Sequence, residues 1–231
     1  NGLNIVSASR QNALVWDVDT GVILHEFTHN PGPLLSATWS PDGTRIATAG
    51  FDSQVLVWNA STFEFLGGLS IPRSSGIVPV YFAAWSPNSQ LLATASADQA
   101  VRIWGGSIDH PSEITPAWNY PDETSALTWS PNSAEISRAG TNGSISIRNV
   151  ATGETLETID TNIIVLSLAY SPYGGRLAYG ASSDNDTTSS TTQSLMNGTV
   201  QIIVPDPTLE RLQSIAALCD APLTVTDAIP Q

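Results

Sequence analysis

The sequence predicts an all-β protein built from about five copies of a four-stranded antiparallel sheet. Three short motifs recur along the 231-residue chain at intervals of 41 to 46 residues. Each motif has the length of one strand and is bounded by Gly, Pro, Asn or Ser, as strands joined by tight turns usually are. A single module of this size cannot shield both faces of its sheet from water, so the copies are expected to pack against one another.

The first motif is an aromatic residue followed by Ser-Pro and two small or polar residues. It begins at Trp39, Trp85, Trp129 and Tyr170, at spacings of 46, 44 and 41 residues. Proline fixes φ, and the short polar residues after it tolerate turn conformations. The motif therefore predicts the end of one strand of each repeat, called strand a, and a tight turn into the next strand, called b.

The other two motifs predict strand b and strand c. Strand b is indicated by segments rich in alanine and β-branched residues, such as residues 45–49 and 91–95. Strand c is indicated by an apolar segment that ends in tryptophan at three places, Trp16, Trp58 and Trp104. With an outer strand d added, the four strands of the second repeat are expected at residues 34–40, 44–50, 54–59 and 63–69.

These motifs resemble the WD-repeat β-propeller family over almost the whole chain. The resemblance implies a β-propeller of four-stranded antiparallel blades, each braced by a hydrogen-bonded group. This group joins a His before strand a, a Ser or Thr on strand b, the strand-c Trp and an Asp in the b–c turn. The second repeat offers His29, Thr48, Trp58 and Asp52, and the third offers Thr94, Trp104 and Asp98 but no His. The fourth departs further, because Arg148 replaces the Trp.

The two ends of the chain determine the blade count. The first repeat starts at strand b, with residues 4–9, and lacks a strand a. Pro222 and Pro230 are eight residues apart, like the prolines that flank strand a elsewhere, so residues 222–230 are expected to close the first blade. Closure of this kind leaves no sheet edge open. The count is then five blades in one domain of residues 1–231; the alternative is part of a larger, seven-bladed ring.

The fifth repeat carries a low-complexity insertion at residues 182–198. Its first thirteen residues contain no large apolar side chain, so we expect a mobile b–c loop, with strand c resuming near residue 199. Farther on, residues 208–219 fit either the last strand d or an amphipathic helix.

Charge and composition exclude several classes of function. The net charge is −13, from 21 acidic residues and eight basic residues, all arginine. Such a chain lacks the positive surface that nucleic acids and anionic membranes require. The single cysteine excludes an intrachain disulfide and a multi-cysteine metal site. No metal, no cofactor and no membrane insertion are expected.

The absence of a recognisable catalytic motif favours a non-catalytic protein-interaction scaffold, with partners that carry a basic surface. Two alternatives stay open: a self-assembling structural subunit of an extracellular or surface assembly, and a hydrolase or lyase acting at the central channel. The low content of charged residues, 13%, slightly favours an extracellular or cell-surface location over the cytoplasm.

The resemblance also implies where a partner would bind, on one rim of the blades. One rim position lies just before the b–c turn Asp, at Phe51 and Ala97. The other lies four residues before the aromatic end of strand a, at Leu35, Tyr81, Ser125 and Leu166. Of these, Leu35, Phe51 and Tyr81 are the candidate partner-binding residues. Trp118 lies outside the repeat pattern and is a further candidate for exposure.

Overall fold

The computed structural model describes residues 3–9, 12–28, 32–72, 76–107, 110–181, 199–203 and 224–225. Every regular element in these ranges is a β-strand. The strands form five separate sheets, four of which follow the order a, b, c, d along the chain. The all-β prediction is therefore confirmed.

The first sheet has three strands, β1 (Asn4–Ala8), β2 (Asn12–Asp17) and β3 (Ile23–Thr28). The second has β4 (Leu34–Trp39), β5 (Arg45–Gly50), β6 (Gln54–Asn59) and β7 (Phe65–Ser70). The predicted strands of this repeat agree with these bounds to within two residues. All neighbouring pairs in both sheets are antiparallel.

The third sheet contains β8 (Val80–Trp85), β9 (Leu92–Ser96) and β10 (Ala100–Ser107). Its outer strand is split in two. β11 (His110–Glu113) pairs with the second half of β10, and β12 (Trp118–Asn119) pairs with its first two residues. The four residues between β11 and β12 belong to neither strand, so this repeat departs from the simple four-strand pattern.

The fourth sheet contains β13 (Thr124–Trp129), β14 (Glu135–Gly140), β15 (Ser144–Asn149) and β16 (Thr155–Asp160). The fifth contains β17 (Val165–Tyr170), β18 (Leu177–Ala181), β19 (Thr199–Ile203) and β20 (Thr224–Val225). β19 begins where strand c was predicted to resume. The insertion at 182–198 and the strand-or-helix segment at 208–219 lie outside the described residues.

β20 bears on the predicted closing strand. Of residues 222–230, the structure describes two, and these pair in parallel with β19 in the fifth sheet. The prediction placed this segment beside β1 in the first sheet, and for Thr224 and Val225 it is wrong. A parallel neighbour of β19 satisfies backbone groups on the outer side of that strand, where strand d lies in the other repeats. The remaining residues of the segment lie outside the described ranges.

Contacts divide the chain into two compact units. Unit 1 consists of residues 1–124 and 150–153, and unit 2 of residues 125–149 and 154–231. In each unit the hydrophobic core lies between consecutive sheets. One cluster joins the first and second sheets through Val15, Phe27 and Ile46. A second joins the second and third through Val55, Val80 and Trp104, and a third joins the fourth and fifth sheets.

Burial follows the position of a strand within its sheet. Every residue of β9 is buried, and so are five of the six residues of β5 and of β14. The outer strands β3 and β16 are largely exposed. This explains why strand b is built from alanine, serine and threonine: both of its faces are covered, and small side chains allow neighbouring sheets to approach closely.

The Ser-Pro turns are alike in all four repeats that carry them. In each, the serine N–H donates to the carbonyl of the first residue after the turn, as Ser40 does to Arg45 at 2.9 Å. The fifth residue of the motif adopts positive φ, at Gly43, Ser89, Ser133 and Gly174. The motif thus closes a tight turn whose last position needs the left-handed region.

Candidate functional site

One rim position is a β-bulge. In strands β4, β8 and β17 the ladder to strand b skips one residue. The skipped residues are Leu35, Tyr81 and Leu166, three of the four strand-a positions singled out in the sequence. A bulge bends the strand locally and re-aims the extra side chain away from the regular alternation. The backbone therefore turns these side chains outward without interrupting the core.

Two of the bulged residues line the same open depression in unit 1. The depression has a volume of about 430 Å³ and is lined by Leu35, Tyr81, Phe82, Glu123 and Thr124. Leu35 is 39% exposed, whereas Tyr81 is half-buried. The site thus combines an aliphatic wall, two aromatic rings and one carboxylate.

Tyr81 and Glu123 are in direct contact. The Tyr81 hydroxyl donates to Glu123 Oε1 at 3.5 Å. Burial raises the pKa of the Tyr81 phenol, and the negative charge of Glu123 raises it further. The phenol therefore stays protonated and keeps the carboxylate beside its ring.

Phe51 lies at the same end of the second sheet but does not line the depression. It is 39% exposed, and its N–H donates to the Pro33 carbonyl at 3.0 Å. Ala97, its counterpart in the third sheet, donates in the same way to Pro79 at 2.8 Å. These bonds fix each b–c turn to the residue before strand a. In the second sheet the bond therefore fixes the backbone from which the Phe51 side chain extends. The three candidate residues share one end of unit 1, and two of them share one cavity.

The strand-c tryptophans each hydrogen bond to strand b. The indole N–H of Trp58 donates to the Thr48 hydroxyl, and that of Trp104 to the Thr94 hydroxyl, both at 2.8 Å. Trp16 makes the same bond to Ser7, also at 2.8 Å. The pairing of Trp16 with Ser7 is absent from the sequence predictions, although Ser7 holds the corresponding place on strand b of the first repeat. His29 lies outside the described residues.

The two turn aspartates have different surroundings. Asp52 is buried, and its carboxylate accepts the Gln54 N–H at 3.1 Å. Asp98 instead receives the guanidinium of Arg102, with the shorter contact at 2.7 Å. Burial alone would raise the pKa of Asp98, but hydrogen bonds from Arg102 and Ser96 and the charge of Arg102 hold it below its usual value.

The fourth repeat replaces the indole–hydroxyl pair with two arginines. Arg148 takes the tryptophan position, and Arg138 takes the threonine position on strand b. Arg138 is only 1% exposed, so the repeat buries a cation where its neighbours bury a hydroxyl.

A second depression follows from the split outer strand of the third sheet. It measures about 480 Å³ and is lined by Pro72, Arg102 and residues 113–117. Arg102 Nε lies 3.7 Å from the Glu113 carboxylate and makes no hydrogen bond among the described residues. This depression is therefore built around a structural ion pair.

Trp118 is buried rather than exposed. It is 5% accessible, lies in β12, and its ring is approached closely by Gly153. The expectation of exposure is wrong because the split outer strand returns to the ladder at this residue.

Across the described ranges no group of three or more His, Cys, Asp or Glu side chains is arranged to hold a metal ion. Within the same ranges no helical segment has the length and hydropathy needed to cross a bilayer.

Comparison with known proteins identifies the repeats. The family model described as "WD domain, G-beta repeat" matches residues 21–59 and 73–105. These two segments of the chain are WD repeats. The chain's sheets are accordingly β-propeller blades. The matched segments contain β3 to β6, then β8, β9 and the first six residues of β10.

Curated relatives match over short segments. The chain is 34% identical over 58 residues to Retinoblastoma-binding-like protein E of Dictyostelium discoideum. It is 35% identical over 65 residues to Protein HIR1 of Candida albicans. The matches cover 25% and 27% of this chain but 11% and 7% of those relatives. The chain thus corresponds to a small part of either protein.

The fold has a close counterpart among solved structures. The β-propeller domain of Cps50 (Swd1) from Myceliophteria thermophila superposes with a TM-score of 0.66. The match covers 78% of this chain and 59% of that one, at 18% identity, and so establishes the β-propeller fold alone. WD-repeat propellers generally mediate protein–protein interactions, which is the class of function that the family supports here.

Proposed function

We propose that this WD-repeat chain is a non-catalytic scaffold that binds a protein partner at the rim carrying Leu35, Phe51 and Tyr81. The observation that carries the proposal is the pair of bulges in β4 and β8, which direct Leu35 and Tyr81 into one open depression. Partly exposed aromatic and aliphatic side chains on a rigid framework are typical anchors of protein interfaces. Phe51 extends this surface along the rim of the second blade.

Electrostatics supports the choice of partner. A net charge of −13 repels nucleic acid and attracts proteins with basic surfaces, and such attraction mainly accelerates association. Binding should therefore weaken as the salt concentration rises.

Affinity capture with rim variants tests the proposal. The variant F51A/Y81A should lose one or more partners that the wild-type chain retains, with an unchanged thermal midpoint. The matched control is L24A/F65A, which removes two apolar side chains from outer strands. Leu24 is 45% exposed and Phe65 is 57% exposed. Capture that is unchanged in F51A/Y81A, or lost equally in the control, would refute this choice of rim.

The self-assembly alternative has its own observation. The first blade exposes a group of apolar side chains, each at least 45% accessible: Leu3, Ile5, Val18, Val22, Ile23 and Leu24. If this group joins copies of the chain, light scattering will show mass growing with concentration, and V22D/L24D will abolish the growth. A constant monomeric mass at all concentrations would refute self-assembly, and the scaffold proposal would then remain.

A further inference from the structure

We propose that the depression lined by Leu35, Tyr81, Phe82, Glu123 and Thr124 binds an arginine side chain of the partner. The inference rests on the proposed function, because it assigns the chemistry that the same rim recognises. It goes further in naming the residue type of the ligand and the acceptor that binds it.

The lining has the parts that an arginine side chain requires. Leu35 and Phe82 provide apolar surface for the methylene groups, and the Tyr81 ring provides an aromatic surface for the guanidinium. Glu123 provides a carboxylate, the group that a guanidinium contacts with two parallel hydrogen bonds. The volume of about 430 Å³ lies toward the lower end of the range for small-ligand pockets, roughly 300–1,000 Å³, which suits a single side chain.

The contact between Tyr81 and Glu123 places ring and carboxylate together. With the hydroxyl 3.5 Å from Oε1, the carboxylate lies at the edge of the phenol ring. A cation lying against the ring therefore has an anionic acceptor within reach. Two carboxylate oxygens offer about four acceptor positions, so Glu123 can accept from an arginine while it accepts from the phenol.

The local charge is of one sign. The five lining residues include one carboxylate and no basic side chain, in a chain whose net charge is −13. The second depression differs, because there Arg102 already faces Asp98 and Glu113. The side chains that line the rim depression therefore contribute negative charge only.

Arginine fits this arrangement better than lysine. A guanidinium is planar, so it can lie flat on the tyrosine ring and still direct its N–H groups at a carboxylate beside it. An ammonium is a compact, strongly hydrated charge that cannot make both contacts in this way. The site should therefore distinguish the two residues, and not merely respond to positive charge.

Peptide titration followed by NMR tests the inference. The probes are acetyl-Ala-Gly-Arg-Gly-Ala-amide and two analogues, with lysine or the uncharged citrulline in place of arginine. The protein carries labelled tyrosine, of which the chain has five, and the Tyr81 signal is assigned by its loss in Y81F. The arginine peptide should shift the Tyr81 signal, and both analogues should bind roughly tenfold more weakly.

Variants locate the acceptor and separate the two proposals. E123Q should weaken the arginine peptide roughly tenfold, whereas E64Q, at an exposed glutamate beside β7, should not. An unmoved Tyr81 signal, equal binding of citrulline or lysine, or unchanged binding in E123Q would overturn the arginine site. If partner capture is lost in F51A/Y81A but intact in E123Q, the rim stands and the arginine site fails. If capture survives both, the proposed function fails.

Discussion

The guanidinium carbon of Arg45 lies 4.7 Å from the ring centroid of Trp85, and so joins strand b of the second blade to strand a of the third. Arg45 also donates to the Ser89 carbonyl at 2.6 Å and lies 3.6 Å from the Asp42 carboxylate. The repeat motifs that predicted separate strands thus also supply the contact between neighbouring blades.

A double-mutant cycle should measure this contact. We expect R45M and W85L to couple by about 0.5–1 kcal/mol in the free energy of unfolding, because a cation over an indole ring is attracted to its negative face. Urea denaturation of the four proteins gives the value. R45K should keep only part of the coupling, since an ammonium cannot stack flat. A coupling energy below about 0.3 kcal/mol would mean that the two side chains are neighbours without mutual attraction.

The Asp98–Arg102 pair should make the third blade sensitive to acid. The pKa of Asp98 is lowered in the folded chain from 3.8, so its contribution is complete above that value and is lost as the pH falls below about 4. D98N should lower stability at pH 7 by about 1–3 kcal/mol, because it leaves the buried Arg102 with less compensation. It should also flatten the pH dependence.

Denaturant unfolding between pH 2.5 and pH 7, approximately, provides the measurement. D19N, at an exposed aspartate in the turn after β2, is the control and should keep the wild-type profile. A D98N profile as steep as that of the wild type would show that the acid sensitivity arises elsewhere.

Tyr170 should show the opposite dependence on pH. Burial is the main cause that raises its pKa to about 12, and the charge of Glu135 adds to it, although the Ser137 hydroxyl at 2.6 Å favours the phenolate. The pKa of Tyr170 in the folded chain is above its ordinary value of 10.0. The contribution of the protonated phenol to stability is therefore complete below pH 10 and is lost as the pH rises toward 12.

Ultraviolet absorbance reports the ionisation of tyrosine, and Y170F identifies the late-titrating group by its disappearance. Above pH 10.0, the free energy of unfolding of Y170F should also decrease less steeply with pH than that of the wild type. If all five tyrosines titrate together in the folded protein, the burial of Tyr170 is not what holds its proton.

Gly153 and Gly43 offer a matched pair of substitutions. Both adopt left-handed backbone, with φ of +72° and +73°. A Cβ at Gly43 would meet nothing within 4 Å, whereas one at Gly153 would lie 3.2 Å from Trp118 Nε1. G43A should therefore cost only the backbone penalty, roughly 1–2 kcal/mol, and G153A should cost more.

The difference between the two variants in thermal or urea unfolding measures how firmly Trp118 is held. Equal costs would show that Trp118 moves aside freely, in spite of its burial.

Most of the fold could be predicted from the sequence because the Ser-Pro turn and the strand-c tryptophan are both stabilised by contacts with residues nearby in the sequence. Trp39-Ser40-Pro41 closes a turn through its own backbone, and Trp58 reaches Thr48 on the adjacent strand. Both contacts lie within one repeat. Periodicity is sufficient to find such contacts, and it would have found Trp16 with Ser7 as well.

Features that depend on tertiary packing could not be predicted. Nothing in residues 108–119 indicates that the outer strand divides into β11 and β12 and so buries Trp118. The repeat pattern gives the chain positions of the rim residues, but not the cavity that Leu35 and Tyr81 share or the contact of Tyr81 with Glu123, which joins residues 42 apart. The binding role of the rim, the extracellular or surface location and the partner's basic surface stay predictions.

The bulges in strand a have a consequence for how this scaffold can change. An inserted residue that the ladder does not use is released from the geometric demands of pairing, so its identity is free to vary. Leucine, tyrosine and leucine occupy that place in β4, β8 and β17 on the same backbone. Side chains at the rim can therefore be exchanged one at a time, while the framework beneath continues to fold as before.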